Sequence, residues 1–122
     1  MIARQLHHAS FPVSDLDRAR RFYEGVLGLE AIERPDLGFP GAWYSAGTCE
    51  VHLIVVPEGT DVGSGPKDLN PLALHTAFAI DDYDEVHVRL KDAGLEVLGL
   101  GSEIGQMWIR DPDGNIIELI AA

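Results

Sequence analysis

Residues 6–17, LHHASFPVSDLD, align without a gap on residues 73–84, ALHTAFAIDDYD. His8 falls on His75, Phe11 on Phe78, Val13 on Ile80, Asp15 on Asp82 and Asp17 on Asp84, at a constant spacing of 67 positions. A one-residue gap then brings Gly28-Leu29-Glu30 onto Gly94-Leu95-Glu96. Apolar, acidic and glycine positions agree together, so the chain reads as two copies of one supersecondary unit. That constraint comes before any local prediction, because whatever one copy forms the other should form too.

Each copy opens on a short apolar run bounded by Ser and Asp, the pattern of a strand. A helix follows. In the first copy Ser14 is the expected N-cap with Asp17 three residues on. Leu16, Ala19, Phe22, Tyr23, Val26 and Leu27 recur at helical spacing until Gly28 ends the run. In the second copy Tyr83, Val86, Leu90 and Ala93 repeat the stripe and Gly94 ends it. Three strands are expected after each helix, at 29–34, 42–47 and 50–56 and at 95–100, 106–110 and 115–120. The run DPDGN at 111–115 is a strong hairpin turn between the last two. The reading is an α+β chain of two βαβββ modules, 1–56 and 72–122, joined by the polar Gly/Pro-rich linker 57–71 into one domain spanning 1–122. Within that linker Gly63-Ser-Gly-Pro-Lys67 lacks the spacing of a phosphate loop.

Hydrophobic residues make up 46% of the 122, enough for a core at this length. Nine Lys and Arg stand against twenty Asp and Glu, a net charge of −11. Phosphate backbones are gripped by Lys and Arg, so nucleic acid is not an expected partner. No apolar run reaches bilayer length and the N-terminus lacks a leader pattern, so no membrane association is expected. Cys49 is the single cysteine, and a cytoplasmic location is the simple expectation.

The chemistry concentrates in five histidines and one strand carboxylate. Strand alternation places His8 with Leu6 and Ser10, and His7 on the opposite face, so the adjacent pair is not expected to share a metal. His75 is the repeat partner of His8, and two histidines related by a repeat can converge near a pseudo-twofold axis or across a dimer. His87, in the second helix, reads as solvated. Glu118 lies in NIIELI, a carboxylate in an apolar strand, and its charge needs a cation or hydrogen bonds to compensate it. Two imidazoles and a carboxylate are a ligand set of many non-haem iron, manganese, zinc and nickel sites. In CEVHLIVV, Glu50 and His52 share a face two strand steps apart, about 6.6 Å. His52, deeper in the apolar run, is the better fourth ligand, and Glu50 a supporting group or a base.

These motifs together resemble the vicinal oxygen chelate superfamily, which includes glyoxalase I, fosfomycin-resistance thiol transferases, methylmalonyl-CoA epimerase, extradiol dioxygenases and bleomycin-binding proteins. The resemblance rests on His8 followed by VSDLDRARRFYEGVLGL, on His75 opening the second copy, and on DPDGNIIE ending at Glu118, and it covers essentially the whole chain. It implies paired βαβββ modules forming a cupped mixed sheet with helices outside. It also implies a divalent metal and a homodimer with sites at or near the interface. The ligands it implies are His8, His75 and Glu118 directly, and His52 by strand position. Glyoxalase I carries a carboxylate or amide where this chain has His52, unless a shifted register puts Glu50 there. The fosfomycin transferases carry anion-binding groups beyond the glutamate, where this chain has only Leu-Ile-Ala-Ala.

The expected function is a glyoxalase-like lyase or isomerase acting on a small α-oxo or hydroxy compound. The metal would be Zn, Ni, Fe, Mn or Co, with Glu118 as ligand and base and Glu50 as a second catalytic carboxylate. Three imidazoles and one carboxylate on a divalent ion leave about +1 net charge, which favours an oxyanion. Trp43, Tyr44 and Trp108 are candidates for the pocket wall. The alternatives are an iron-dependent extradiol-type dioxygenase using His8, His75 and Glu118, and a non-enzymatic drug-binding protein.

Overall fold

The alternation of apolar and polar residues in each copy is that of sheets with one face packed under a helix. The computed structural model describes residues 1–122. The first module contains β1 (His8–Val13), α1 (Leu16–Arg20), a π-helical continuation (Arg21–Val26), β2 (Glu30–Ile32), β3 (Gly41–Ala46) and β4 (Cys49–Val55). The second contains β5 (Thr76–Ile80), α2 (Tyr83–Asp92), β6 (Leu98–Gly99), β7 (Gln106–Arg110) and β8 (Ile116–Ala121). The chain is α+β, two βαβββ modules, each with its own four-stranded mixed sheet. The strand orders are β1-β4-β3-β2 and β5-β8-β7-β6, with the first strand parallel to the last and the remaining pairs antiparallel. The chain divides into two compact units between Val62 and Gly63, inside the polar linker. The latter part of that linker packs onto the second module, where Leu69 and Ala73 join Trp108, Ile116 and Leu98 in an apolar cluster.

Both helices start on an aspartate. Asp15 and Asp82 have extended backbones, and their carboxylates accept from the N–H groups of Arg18 and Glu85 at 3.0 and 3.1 Å. This corrects the expectation of Ser14 as the cap. Helical geometry begins one residue later, at Leu16, and the Ser14 hydroxyl instead accepts from the Arg18 guanidinium at 2.9 Å.

The first helix holds one residue more than the second. Between the cap and the terminating glycine the first copy runs from Asp15 to Gly28 and the second from Asp82 to Gly94. The π-helical turn absorbs the difference, with Leu27 N–H donating to the Phe22 carbonyl at 2.9 Å. A π-turn is the usual way for a helix to take up a single insertion without losing register at either end. Gly28 and Gly94 both close their helices at positive φ, 74° and 85°.

Under α1 the core is Phe11, Val13, Ala19, Phe22, Tyr23, Ala42, Tyr44, Val51 and Leu53. Each fully buried side chain of this size contributes about 1.5–3 kcal/mol. In the second module Met107, Ile109, Ile117 and Leu119 form the equivalent buried row, with Tyr83 and Leu90 from α2. The other face of each sheet carries the residues of interest.

Candidate metal centre

The register of the ladders reproduces the repeat at the level of individual side chains. In the first module His8 pairs with Glu50, Ser10 with His52, and Trp43 with His52 from the other side. In the second, Ala77 pairs with Glu118 and Trp108 with Glu118 from the other side, and His75 stands two residues before Ala77. His8 and His52 therefore occupy the same ladder positions as His75 and Glu118. His75 lies just before β5 rather than within it.

In the first module the face opposite α1 holds a stack of three rings. Trp43 lies on His52 with centroids 4.2 Å apart and planes 6° apart, and His52 lies on His8 at 4.0 Å and 16°. His52 is buried and His8 exposed. His52 Nε2–H donates to Glu50 Oε1 at 2.9 Å. The two strand steps between these residues do not hold their side-chain ends apart, because both lean along the strand toward each other. That hydrogen bond is the main reason the Glu50 carboxyl sits below its usual range, against an opposing loss of hydration and with smaller help from the charges of His52, His7 and His8.

His7 differs from expectation. Strand geometry starts at His8, so alternation does not govern His7, and its Nδ1 lies 2.9 Å from Nδ1 of His8. Two facing nitrogens share at most one proton. The His8 imidazolium is disfavoured first by lost hydration, then by His52 and His7, with Glu50 opposing. The neutral ring is the form that ligates metals.

In the second module Glu118 is 6% exposed. His75 Nδ1–H donates to the Ala73 carbonyl at 2.7 Å, and its Nε2 faces Glu118 Oε1 at 2.9 Å. The carbonyl fixes ring and tautomer, the usual support behind a metal-binding histidine. Gln106 Nε2–H donates to the other oxygen, Oε2, at 3.0 Å. Trp108 meets His75 edge to face at 6.3 Å, and its indole N–H is buried without a hydrogen-bond partner. His87 is half-buried and stacks on Tyr83 at 5.9 Å, rather than standing free in solvent.

The donor chemistry fits a divalent ion. An imidazole nitrogen and a carboxylate oxygen are the donor types such ions take, and Nε2 of His75 and Oε1 of Glu118 face each other 2.9 Å apart. His75 and Glu118 are the residues of this module that would hold a divalent ion. No three histidine, cysteine or carboxylate side chains gather closely enough to hold a metal within either module. Gln106 escaped the sequence reading. The signal was present, since the hairpin register set by DPDGN puts 108 opposite 118 and 106 on the same face of its strand.

The profile of the Glyoxalase/Bleomycin resistance protein/Dioxygenase superfamily matches residues 5–119. The chain belongs to this superfamily. This superfamily member is 31% identical over 122 residues to Glyoxylase I 4 of Arabidopsis thaliana, covering 93% of this chain and 68% of that one. It is 29% identical to lactoylglutathione lyase of Salmonella typhimurium, over 97% of this chain and 93% of the relative. The crystal structure of a glyoxalase/dioxygenase from Nostoc punctiforme superposes with a TM-score of 0.79 at 26% identity, covering 97% of this chain and 90% of that chain. No helix is long and apolar enough to cross a membrane.

Proposed function

We propose that the chain is a divalent-metal-dependent glyoxalase-like lyase or isomerase acting on a small α-oxo or hydroxy compound in the cytoplasm. The ligands would be His8, His52, His75 and Glu118, assembled in a homodimer. The observation that carries this reading is the His75–Glu118 pair. Its imidazole is fixed from behind by the Ala73 carbonyl, and its buried carboxylate faces Nε2 at 2.9 Å. The similarity to a lactoylglutathione lyase supports the reaction class.

When bound, the metal would act as a Lewis acid on substrate oxygens. The remaining work falls to side chains of this chain. Glu118, nearly out of water, would take and return a proton next to the oxygen-bearing carbon. Glu50, ionised and partnered by His52, is the second carboxylate able to do so. Trp43 holds the His52 ring in one plane and excludes water from one side of it.

The test is elemental analysis of untagged protein purified without added metal, followed by hemithioacetal isomerisation assays with the metal found. Nickel or zinc at one per site, with turnover, is the expected result. Stoichiometric iron with catechol cleavage would replace this reading by a ring-opening oxygenase, and absence of any tightly held metal would replace it by a binding protein.

A further inference from the structure

Glu118 is approached by two groups, and neither is a permanent cation. Oε1 faces the His75 imidazole and Oε2 accepts from the Gln106 side-chain amide, at 2.9 and 3.0 Å. The carboxylate is 6% exposed, so it requires hydrogen bonds and a compensating charge. An amide supplies the hydrogen bond and leaves the charge. The cation on the same face of β7, Arg110, is engaged elsewhere, donating to the Lys67 carbonyl at 2.8 Å and to Glu96 Oε1 at 3.2 Å. An arginine or lysine at 106 would satisfy Glu118 completely and leave nothing for a metal to compensate.

From this we infer that Gln106 is a positioning residue for the metal centre, holding Oε2 aside so that Glu118 offers one oxygen, Oε1, to a divalent cation. The inference rests on the metal-binding reading given above. It assigns the amide two effects. Oε2, held by the amide, would be kept from ligating the ion. Oε2 also keeps a fixed direction, so the carboxylate does not rotate when a ligand arrives. Gln106 is half-buried at the first position of β7, and methionine matches its length and approximate volume.

The experiment uses full-length wild type, Gln106→Met and Gln106→Glu, each shown to be folded by circular dichroism and loaded with zinc alone. Zinc affinity is read by competition with a chromophoric chelator, and carboxylate attachment by zinc-edge X-ray absorption. Wild type should show one carboxylate oxygen near 2.0 Å, in the range of zinc–oxygen bonds. Gln106→Met should weaken zinc about 10–100-fold, the range for groups that orient metal ligands, and add the second oxygen to the zinc environment. Gln106→Glu removes the amide donor and adds a carboxylate that can itself bind zinc, so it should add oxygen to the zinc environment without the loss of affinity expected of Gln106→Met. Wild-type spectra and affinity in both variants would overturn the role of Gln106 and leave the metal centre intact. Wild type that binds no zinc would instead overturn the metal reading, and this inference with it.

Discussion

The backbone N–H of Leu29 reaches back to the carbonyl of Tyr23 at 3.0 Å, whereas its repeat counterpart Leu95 reaches Leu90 at 3.2 Å, one residue less along the chain. The extra residue of the first copy is enclosed by the Leu29–Tyr23 bond, at the π-turn. Its neighbours on either side keep the positions that the repeat assigns them.

Gly25 lies inside that turn, at negative φ and with nothing within 4 Å of where a Cβ would stand. Gly25→Ala should stabilise the chain by about 0.5–1 kcal/mol by restricting the unfolded ensemble. Gly41→Ala should do the reverse, by about 1–3 kcal/mol, because its Cβ would collide with the Leu53 carbonyl and the Arg34 guanidinium. Urea denaturation of the three proteins reads both signs, and a destabilised Gly25→Ala would show the turn to be strained in a way its backbone does not reveal.

His75→Ala should abolish stoichiometric binding of divalent metal while the protein stays folded. A variant with unchanged metal content by elemental analysis would remove the basis for the centre.

His52→Ala separates a ligand from a support. If the ring binds metal, its loss should weaken affinity by more than the roughly 100-fold that marks the upper end for supporting groups. If a crystal structure with metal on His8, His75 and Glu118 shows the His52 ring turned away, the four-ligand proposal fails.

Tyr44 is fully buried and its hydroxyl donates to Glu24 Oε2 at 2.8 Å. Burial first, then the hydrogen bond and the charge of Glu24, push its ionisation well above the usual phenol range near 10.0, with Arg20 opposing. A raised folded-state pKa means that the stabilising effect is complete below pH 10 and is lost as pH climbs beyond it, where the unfolded chain ionises and the folded one does not. Tyr44→Phe should cost about 1.5–3 kcal/mol near pH 7 and flatten the decline above pH 10. Thermal melts at pH 7 and 10.5 measure both, and equal slopes for the two proteins would contradict the assignment.

The homodimer is checked by light scattering at micromolar concentration, where twice the 13.3 kDa chain mass is expected. A monomeric mass would remove the assembly from the proposal.

The repeat made much of this legible. It predicted both modules, the two helices, their closing glycines, and the equivalence of His8 with His75 that the ladders reproduce residue by residue. It also contained the right cap, since Asp15 aligns with Asp82, while local propensity alone favoured Ser14. What escaped was what depends on neighbours in space. β2 and β6 cover only Glu30–Ile32 and Leu98–Gly99, less than the expected 29–34 and 95–100, because few residues there find a partner on the neighbouring strand. His7 turned toward His8 because the strand had not yet begun, and the approach of Gln106 to Glu118 depends on a hairpin register rather than on composition.

The stacking of Trp43 on His52 at 4.2 Å gives the first module its own optical signal. Indole emission is quenched by an adjacent imidazole that gains positive charge or a paramagnetic ion. The second tryptophan, Trp108, sits edge-on to His75 at 6.3 Å and provides the corresponding signal for the other module. Replacing one tryptophan at a time by phenylalanine would turn each half of the chain into a separate fluorometer. The order in which the two halves meet an incoming ion could then be followed in real time without any added label.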